Sequence, residues 1–321
     1  MPLEILYHGN CFDGCVSAAL FGRFAAEHMG VRPASVRYRP MQHQQGDPFP
    51  PDAFDAELTA CVDFRYSPRL DWWFDHHASA FPSPADRAAF EADRSGQQFW
   101  DPAAPSCAGF IARTLGERFS WRADDLAELL RWADVIDAAR FESARAAVRL
   151  EEPALQLMAL LEATKDPELP TRLIEALQRQ PLAEIAAQPW VREPLTPVLE
   201  RHRAAVDAVK THARERDGVV EIDLGDAAVE AANKFIAYDL FPQATYTVVV
   251  SRDPKRTKVS VGSNPWARER RRHDISRICE RYGGGGHPVV GAVTLPPGTL
   301  PEARRIAAEI ARTLRDEATT P

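Results

Sequence analysis

The chain has 321 residues, of which 45% are hydrophobic and 26% are charged, values typical of a soluble globular protein. This length allows two domains with separate cores. No apolar run approaches the roughly 20 residues that a membrane span requires, so no membrane partner is expected. The net charge of −7 argues against a general coat of nucleic acid, and a polyanionic partner would need a local basic patch.

The cellular location is predicted from the N-terminus and the cysteines. The first residues have neither the basic start nor the apolar core of a signal peptide. The five cysteines are an odd number and lie far apart in the sequence, unlike the cysteines of a disulfide framework. Both observations favour a reducing, cytoplasmic location.

The N-terminal third predicts a strand, loop and helix pattern. Short apolar runs predict strands at 3–7, 35–38, 58–62 and 70–74, and a helix at 15–26, with loops at 8–14 and 41–52. This order of strands and connecting segments predicts a mainly parallel, doubly wound α/β sheet.

The middle of the chain is predicted to be helical after an irregular stretch. Residues 78–104 are rich in Pro, Ala and Asp and are interpreted as an irregular surface excursion. Ser106 is expected to cap a helix at 107–118, and a second helix is expected at 126–139. From about 140 to 216 good helix formers dominate without clustered ligand residues, which indicates a helical connector.

The C-terminal part predicts a second, smaller α/β domain. Strands are expected at 219–223, 245–250 and 258–261, and helices at 228–240, 274–282 and 301–315. The predicted domains are therefore 1–140, 141–215 and 216–321.

Candidate metal ligands follow three predicted strands. His8 and Asp13 come after the first, Asp63 after the third, and Asp75, His76 and His77 after the fourth. Since ligands bind beyond the carboxyl ends of parallel strands, these side chains are expected to converge. Asp134 and Asp137 share a helix face and could supply one more carboxylate. Each residue also has a structural alternative, such as a turn or a solvated helix face.

The chemistry of this set indicates a divalent cation. Aspartate and histidine with few thiols suit Mn²⁺ better than a structural zinc site. A carboxylate such as Asp63 could bridge two ions, and such a site would use a metal-activated hydroxide against phosphorus.

A glycine run near the C-terminus is a candidate phosphate site. Gly283 to Gly286 expose backbone N–H groups that an anion can approach, and His287 adds a side-chain donor. The span 251–287 holds ten Lys or Arg and four acids, or +6 in an acidic protein. A phosphate-bearing ligand is the natural partner, although residues 268–272 could equally form a solvated face.

Together these motifs resemble the DHH phosphoesterase family with its C-terminal DHHA1 domain. Asp75, His76 and His77 match the signature triplet, and residues 8–14 resemble the first motif. Asp63 resembles the second motif's aspartate, and Asp134 or Asp137 the fourth's. Gly284, Gly285, Gly286 and His287 match the substrate-binding loop of the DHHA1 domain.

The resemblance implies Mn²⁺ in a cleft between two lobes, with Co²⁺, Zn²⁺ or Fe²⁺ as other ions that could bind. His8, Asp13, Asp63, His76 and the helix aspartate would be ligands, with Asp63 bridging. His77 would act on the scissile phosphate as electrostatic stabiliser or acid, and Asp75 would orient the histidines. His287 and the glycine N–H groups would bind the substrate's far phosphate.

Two departures from the family pattern concern the ligands. The first motif normally has two aspartates two residues apart, whereas this chain has Cys11 and Asp13. Cys11 could therefore be a metal ligand at this position, the position could bind a softer ion, or it could bind metal only weakly. The DHHA1 strand end reads Ser-Val-Gly-Ser-Asn, ending on Asn264, where relatives often carry an arginine. Phosphate binding could pass to Arg252, Lys258 or Arg268.

The sequence thus predicts a metal-dependent phosphoesterase acting on short nucleotide substrates: short single-stranded oligonucleotides, adenosine bisphosphate or dinucleotides. The alternatives are a phosphoanhydride hydrolase of the polyphosphate type and a degenerate protein that binds nucleotides without turnover. A homodimer is left open.

Overall fold

The computed structural model describes residues 2–42, 46–227, 233–269 and 271–316. Contacts divide the chain into two compact units, Met1–Phe141 with Leu150–Thr196, and Glu142–Arg149 with Pro197–Pro321. Most of the segment predicted as a connector is thus grouped with the first unit, and the three domain boundaries stay a prediction. No helix in the described part of the chain combines the length and apolar character needed to cross a membrane.

The N-terminal part alternates strands and helices. Its elements are β1 (Leu3–His8), α1 (Phe12–His28), β2 (Val36–Met41), β3 (Leu58–Val62), β4 (Trp72–Asp75), α2 (Pro84–Ala92), β5 (Gln98–Trp100), α3 (Cys107–Phe119) and α4 (Ala127–Asp137). Short 3₁₀ turns precede β2 and α4, at Pro33–Ser35 and Asp124–Leu126.

The first sheet is entirely parallel, as predicted, with strand order β2-β1-β3-β4-β5. β1, β3 and β4 are almost wholly buried because both faces of a parallel sheet are covered. The chain leaves β1 towards β2 and then returns to place β3 on the other side. The strand order therefore reverses between β1 and β3, which is where ligands bind in open α/β sheets.

The irregular excursion predicted at 78–104 is wrong, because this segment contains α2 and β5. Ser83 caps α2 by accepting a hydrogen bond from the Asp86 N–H, and Pro84 occupies the first turn. α2 has no fully buried residue, so it lacks the apolar stripe by which helices are recognised in a sequence.

Helices fill the middle of the chain, as predicted. They are α5 (Ala144–Arg149), α6 (Pro153–Ala163), α7 (Glu168–Leu177), α8 (Leu182–Ala187) and α9 (Pro189–His212). β6, at Ala213–Arg216, follows directly and was not expected from the sequence.

The second unit contains a mixed sheet. Its remaining elements are β7 (Val219–Asp223), α10 (Ile236–Leu240), β8 (Tyr246–Asp253), β9 (Arg256–Ser263), α11 (Ile275–Glu280), β10 (Gly285–His287), β11 (Val290–Leu295) and α12 (Leu300–Arg315). The strand order is β10-β11-β9-β8-β7-β6, and only the β7–β8 pair is parallel. Of the helix predicted at 228–240, only residues 236–240 form α10; residues 233–235 are not helical, and residues 228–232 lie outside the described residues.

One helix closes this second core. The apolar face of α12 packs on β7, β8 and β9, and its residues recur at helical spacing. The buried members of this face are Leu300, Ala303, Ile306, Ala307, Ile310, Ala311 and Leu314.

Gly14 is predicted to be essential for the packing of α1 against the end of β1. A Cβ at this position would lie 2.2 Å from the backbone oxygen of His8, which cannot move without displacing the strand. Gly14→Ala should therefore lower the free energy of unfolding by about 1–3 kcal/mol. Urea denaturation of the whole chain measures this change.

Gly116→Ala is the matched control, since Gly116 lies inside α3. A Cβ added there would lie 3.6 Å from the backbone oxygen of Trp121, an ordinary van der Waals contact. This substitution should be neutral or stabilising by up to about 1 kcal/mol. Equal effects of the two substitutions would contradict the steric argument.

Candidate metal centre

Three strand ends place acidic and imidazole side chains at one edge of the first sheet. His8 ends β1, Asp63 follows β3, and Asp75 ends β4 just before His76 and His77. Because these strands are parallel neighbours, their carboxyl ends lie side by side. The predicted convergence of these residues is observed in the geometry.

The ligand atoms form overlapping groups. His8, Cys11 and Asp63 form one group, and Asp13, His76 and Asp137 form another, with ligand atoms within 4.8 Å of one another in each. Asp63 also groups with His76 and His77. Asp63 therefore lies between the two sets.

Asp63 has the geometry expected of a bridging carboxylate. Its Oδ2 lies 3.4 Å from His8 Nδ1 and its Oδ1 lies 3.5 Å from His76 Nε2. Both oxygens are buried, and neither accepts a hydrogen bond from any residue that the structure describes. Burial raises the pKa of Asp63, but the surrounding imidazoles outweigh this and hold it below its usual value.

The backbone at Asp63 is also unusual. Its φ of 56° lies in the left-handed region, which is costly for a residue with a Cβ. Such strained positions cluster at functional sites, where the surrounding structure holds them in place. Here the Asp63 N–H donates to the carbonyl of Phe74 at 2.9 Å and ties the residue to β4.

His76 directs one ring nitrogen at three carboxylates. Its Nδ1 lies 3.0 Å from the carbonyl oxygen of Ala104, which can only accept, so Nδ1 carries the proton. Its Nε2 lies 3.4–3.7 Å from carboxylate oxygens of Asp137, Asp63 and Asp13. Burial lowers the pKa of His76, but Asp63, the Ala104 carbonyl and Asp13 raise it to about 10.

This arrangement fits a divalent cation. When His76 is neutral, the lone pair of Nε2 faces negative oxygens, and a bound cation among them would make that contact favourable in place of a proton. The two buried oxygens of Asp63 likewise require a positive partner. The residues present therefore match the ligand set of a metal such as Mn²⁺.

Asp13 is oriented by the start of α3. Its two oxygens accept hydrogen bonds from the N–H groups of Cys107 and Ala108, at 2.7 and 3.0 Å. Burial, with the nearby charges of Asp63 and Asp137, raises the pKa of Asp13 well above its usual value. The crowding of three carboxylates again indicates a site for positive charge.

Asp137 and Asp134 have different roles, although both were candidates. Asp137 approaches His76 and belongs to a ligand group. Asp134 instead accepts a hydrogen bond from the Ser106 hydroxyl at 2.6 Å, and Ser106 caps α3 by accepting from the Gly109 N–H. The geometry therefore favours Asp137 as the ligand.

Asp75 and His77 form a hydrogen-bonded pair next to this cluster. Asp75 Oδ1 lies 2.7 Å from His77 Nδ1 and also accepts from the backbone N–H groups of His76 and His77. This hydrogen bond raises the pKa of His77. The His77 side chain is 36% exposed, so solvent and small molecules can reach it.

Cys11 starts α1 as its N-cap, with a partly buried side chain. Burial, with the charges of Asp63 and Asp13, raises the pKa of its thiol well above the usual value. The sequence did not predict the contacts that orient His76 and Asp13. These are the Ala104 carbonyl beside His76 and the N–H groups of Cys107 and Ala108 that donate to Asp13. Only the Ser106 cap beside them was visible in the sequence.

The glycine loop lies in the second unit as a tight hairpin. Gly285–His287 form β10, which pairs only with β11 among the described residues and lies at the sheet edge. A Cβ at Gly284 or Gly286 would lie 2.2 Å from a backbone oxygen of β11, so the fold requires glycine there. His287 is exposed.

The structure does not bring Arg252 to this loop. β8 and β9 are antiparallel, with Arg252 opposite Thr257, whereas the loop pairs with β11 beside Gly262 at the other end of β9. The separation is five residues along the strand, about 17 Å. Arg252 instead pairs with Asp226 at 3.4 Å.

Asn264 has a structural role. Its side-chain amide donates to the carbonyls of Pro242 and Ala244, and its oxygen accepts from the Trp266 N–H. The side chain is buried and satisfied within the turn after β9, so we do not propose it as a substrate contact. Of the basic segment 268–272, Arg270 lies outside the described residues.

Metal titration should separate the two helix aspartates. Asp137→Asn should weaken Mn²⁺ binding at least about tenfold, because even residues that only orient a ligand cost about 10- to 100-fold. Asp134→Asn is the matched control and should bind Mn²⁺ as the parent does, since its amide oxygen can still accept from Ser106. Isothermal titration calorimetry measures both, and the reverse order would assign the ligand to Asp134.

Comparisons with known proteins identify the fold. No protein-family model and no curated protein matches the chain. A solved pGpG-specific phosphodiesterase, PggH from Vibrio cholerae, is 20% identical with a TM-score of 0.72 over 98% of this chain and 99% of that one. A solved DHH domain, described as part of a member of a family of ribosomal proteins, is 14% identical with a TM-score of 0.60, covering 99% and 87%.

RecJ from Thermus thermophilus, solved with Mn²⁺, is 15% identical with a TM-score of 0.54. The match covers 98% of this chain but only 53% of RecJ, so this chain spans about half of that protein. These likenesses extend over both units and confirm the predicted α/β architecture. The chain has the fold of the DHH-domain proteins.

Proposed function

We propose that the protein is a metal-dependent phosphoesterase that hydrolyses phosphodiester bonds in short nucleotide substrates. The observation that carries this proposal is the meeting of His8, Asp13, Asp63, His76 and Asp137 at one sheet edge. Buried carboxylates and an inward-facing imidazole of this kind are costly in a protein that binds no cation. The fold shared with a phosphodiesterase and with RecJ supports the same reading.

The proposed ligands form two positions that share Asp63. Asp13, His76 and Asp137 would hold one ion, and His8 with Cys11 would hold the other. A divalent cation bound there lowers the pKa of a water ligand and neutralises charge on the phosphate. Mn²⁺ is proposed for the Asp13 position because its donors are oxygen and imidazole nitrogen, and the RecJ structure contains this ion.

His77 is proposed to act on the leaving group. Its Nδ1 is fixed by Asp75, so the imidazolium can present the Nε2 proton. Donation of this proton to the departing oxygen would avoid an unstable alkoxide, and the positive ring would also stabilise charge on the phosphate. Asp75 positions the ring and stabilises its charged form.

A linear dinucleotide is the substrate class we favour. The Vibrio cholerae protein, which matches over nearly its whole length, is described as specific for pGpG. In the second unit, the glycine edge strand and the exposed His287 offer donors suited to a terminal phosphate. A terminal phosphate would accept hydrogen bonds from both the glycine N–H groups and His287.

A product screen tests the proposal directly. The protein is incubated with Mn²⁺ and pGpG, adenosine bisphosphate, a short single-stranded oligonucleotide, a cyclic dinucleotide or tripolyphosphate, and products are identified by mass spectrometry. Mononucleotides from pGpG are expected. Phosphate from tripolyphosphate alone would indicate a phosphoanhydride hydrolase, and binding without products would indicate a nucleotide sensor.

Replacing His77 should separate chemistry from metal binding. His77→Ala should lower kcat about 10²–10⁴-fold, the usual contribution of a general acid, while the Kd for Mn²⁺ stays unchanged. The control His212→Ala removes an exposed histidine near the end of α9 and should leave both unchanged. Recovery of kcat in His77→Ala at high Mn²⁺ would instead make His77 a metal ligand.

Replacing His287 should weaken binding of the terminal phosphate. A hydrogen bond to a charged group contributes about 1.5–3 kcal/mol, so His287→Ala should raise KM for pGpG by about tenfold or more. GpG, which lacks the terminal phosphate, should show no such change. Arg256→Ala is the control, because Arg256 pairs with Asp253 in the β8–β9 hairpin. An equal rise in KM for pGpG and GpG would contradict a role of His287 in binding the terminal phosphate.

A further inference from the structure

Cys11 makes the two metal positions chemically different. We propose that the position formed by His8, Cys11 and Asp63 selects a thiophilic divalent ion such as Zn²⁺, Fe²⁺ or Co²⁺, while the position formed by Asp13, His76 and Asp137 selects Mn²⁺ or Mg²⁺. The centre would then be a mixed-metal pair bridged by Asp63. This inference rests on the proposed function only in assuming that the cluster binds metal.

Helix capping does not explain the cysteine. Cys11 occupies the N-cap of α1, where Ser, Thr, Asp or Asn normally accept a hydrogen bond from the first turn. Its side chain makes no capping hydrogen bond. The thiol instead lies among the ligand atoms of His8 and Asp63, within 4.8 Å of both.

The other cysteines have ordinary core environments. Cys15, Cys61, Cys107 and Cys279 are fully buried, and none of them belongs to a ligand group in the described part of the chain. The thiols of Cys61 and Cys107 face backbone carbonyls of Arg65 and Phe74. Only Cys11 combines partial exposure with a neighbouring imidazole and carboxylate.

The donor atoms of the two positions predict opposite preferences. A thiolate, an imidazole and a carboxylate favour borderline and soft ions, which bind sulfur strongly. Two carboxylates and an imidazole favour harder ions with oxygen ligands. Because coordination by sulfur requires the thiolate, binding at the Cys11 position also releases a proton.

Charge balance supports the thiolate as a true ligand. In a metal-bound state, the carboxylates of Asp13, Asp63 and Asp137 would contribute three negative charges, and a Cys11 thiolate would add a fourth. Two divalent cations neutralise this total, which is favourable at a site where Asp13 and Asp63 are almost completely buried.

Absorption of the cobalt-loaded protein tests this inference without any turnover. The chain is stripped with a chelator and titrated with Co²⁺, and a sulfur-to-cobalt charge-transfer band is recorded in the near ultraviolet. The band is expected in the parent and in the control Cys279→Ser, and it should be lost in Cys11→Ser and Cys11→Asp. Circular dichroism checks that each variant is folded.

Metal analysis gives the second readout. After dialysis against Zn²⁺ with a large molar excess of Mn²⁺, the wild-type protein should retain both ions, with Zn²⁺ at the Cys11 position. Cys11→Asp should retain less Zn²⁺ under the same conditions, because an oxygen then replaces sulfur.

Two outcomes would overturn the mixed-metal assignment. One is that the wild-type protein binds Co²⁺ without a charge-transfer band. The other is that the band persists in the near-isosteric Cys11→Ser. His77→Ala should keep the band while losing turnover. A band in a protein that hydrolyses none of the phosphoesters would therefore refute the proposed function and leave the metal assignment standing.

Discussion

The central physical constraint in this protein is the crowding of negative charge at the carboxyl edge of a buried parallel sheet. Asp13 and Asp63 are almost inaccessible to solvent, and a carboxylate oxygen of each lies within 3.7 Å of the His76 Nε2. Burial of a charge without a partner costs several kcal/mol. The rest of the first unit holds these groups in place, and a charged His76 or a bound cation would offset this cost.

The fold enforces this arrangement from several directions. The switch in strand order between β1 and β3 brings His8 and Asp63 together, and the left-handed backbone of Asp63 directs its carboxylate between the two ligand groups. The start of α3 fixes Asp13, and the Ala104 carbonyl fixes the tautomer of His76. Candidate ligands from four separate segments are thereby held in fixed positions, as the ligands of a metal site need to be.

In the second unit, the glycines of β10 allow close strand pairing and also leave a backbone edge accessible. Gly284 and Gly286 are required where β10 approaches β11, and the same lack of side chains leaves an accessible backbone edge. Arg252 and His287 both lie in the basic stretch of the sequence, but antiparallel pairing places them at opposite ends of the sheet. Arg252 therefore lies away from the glycine loop and His287.

The sequence by itself indicated the parallel sheet, the glycine loop and the candidate ligands, because strand ends and residue types are local properties. Only the tertiary structure distinguished Asp137 from Asp134, since both lie on one helix face and packing against Ser106 engages just one of them. It also showed that Asn264 donates to the Ala244 carbonyl and that Arg252 pairs with Asp226, and it revealed α2 and β5. These outcomes depend on contacts between side chains that are far apart in the sequence. The local sequence pattern around each residue does not reveal such contacts.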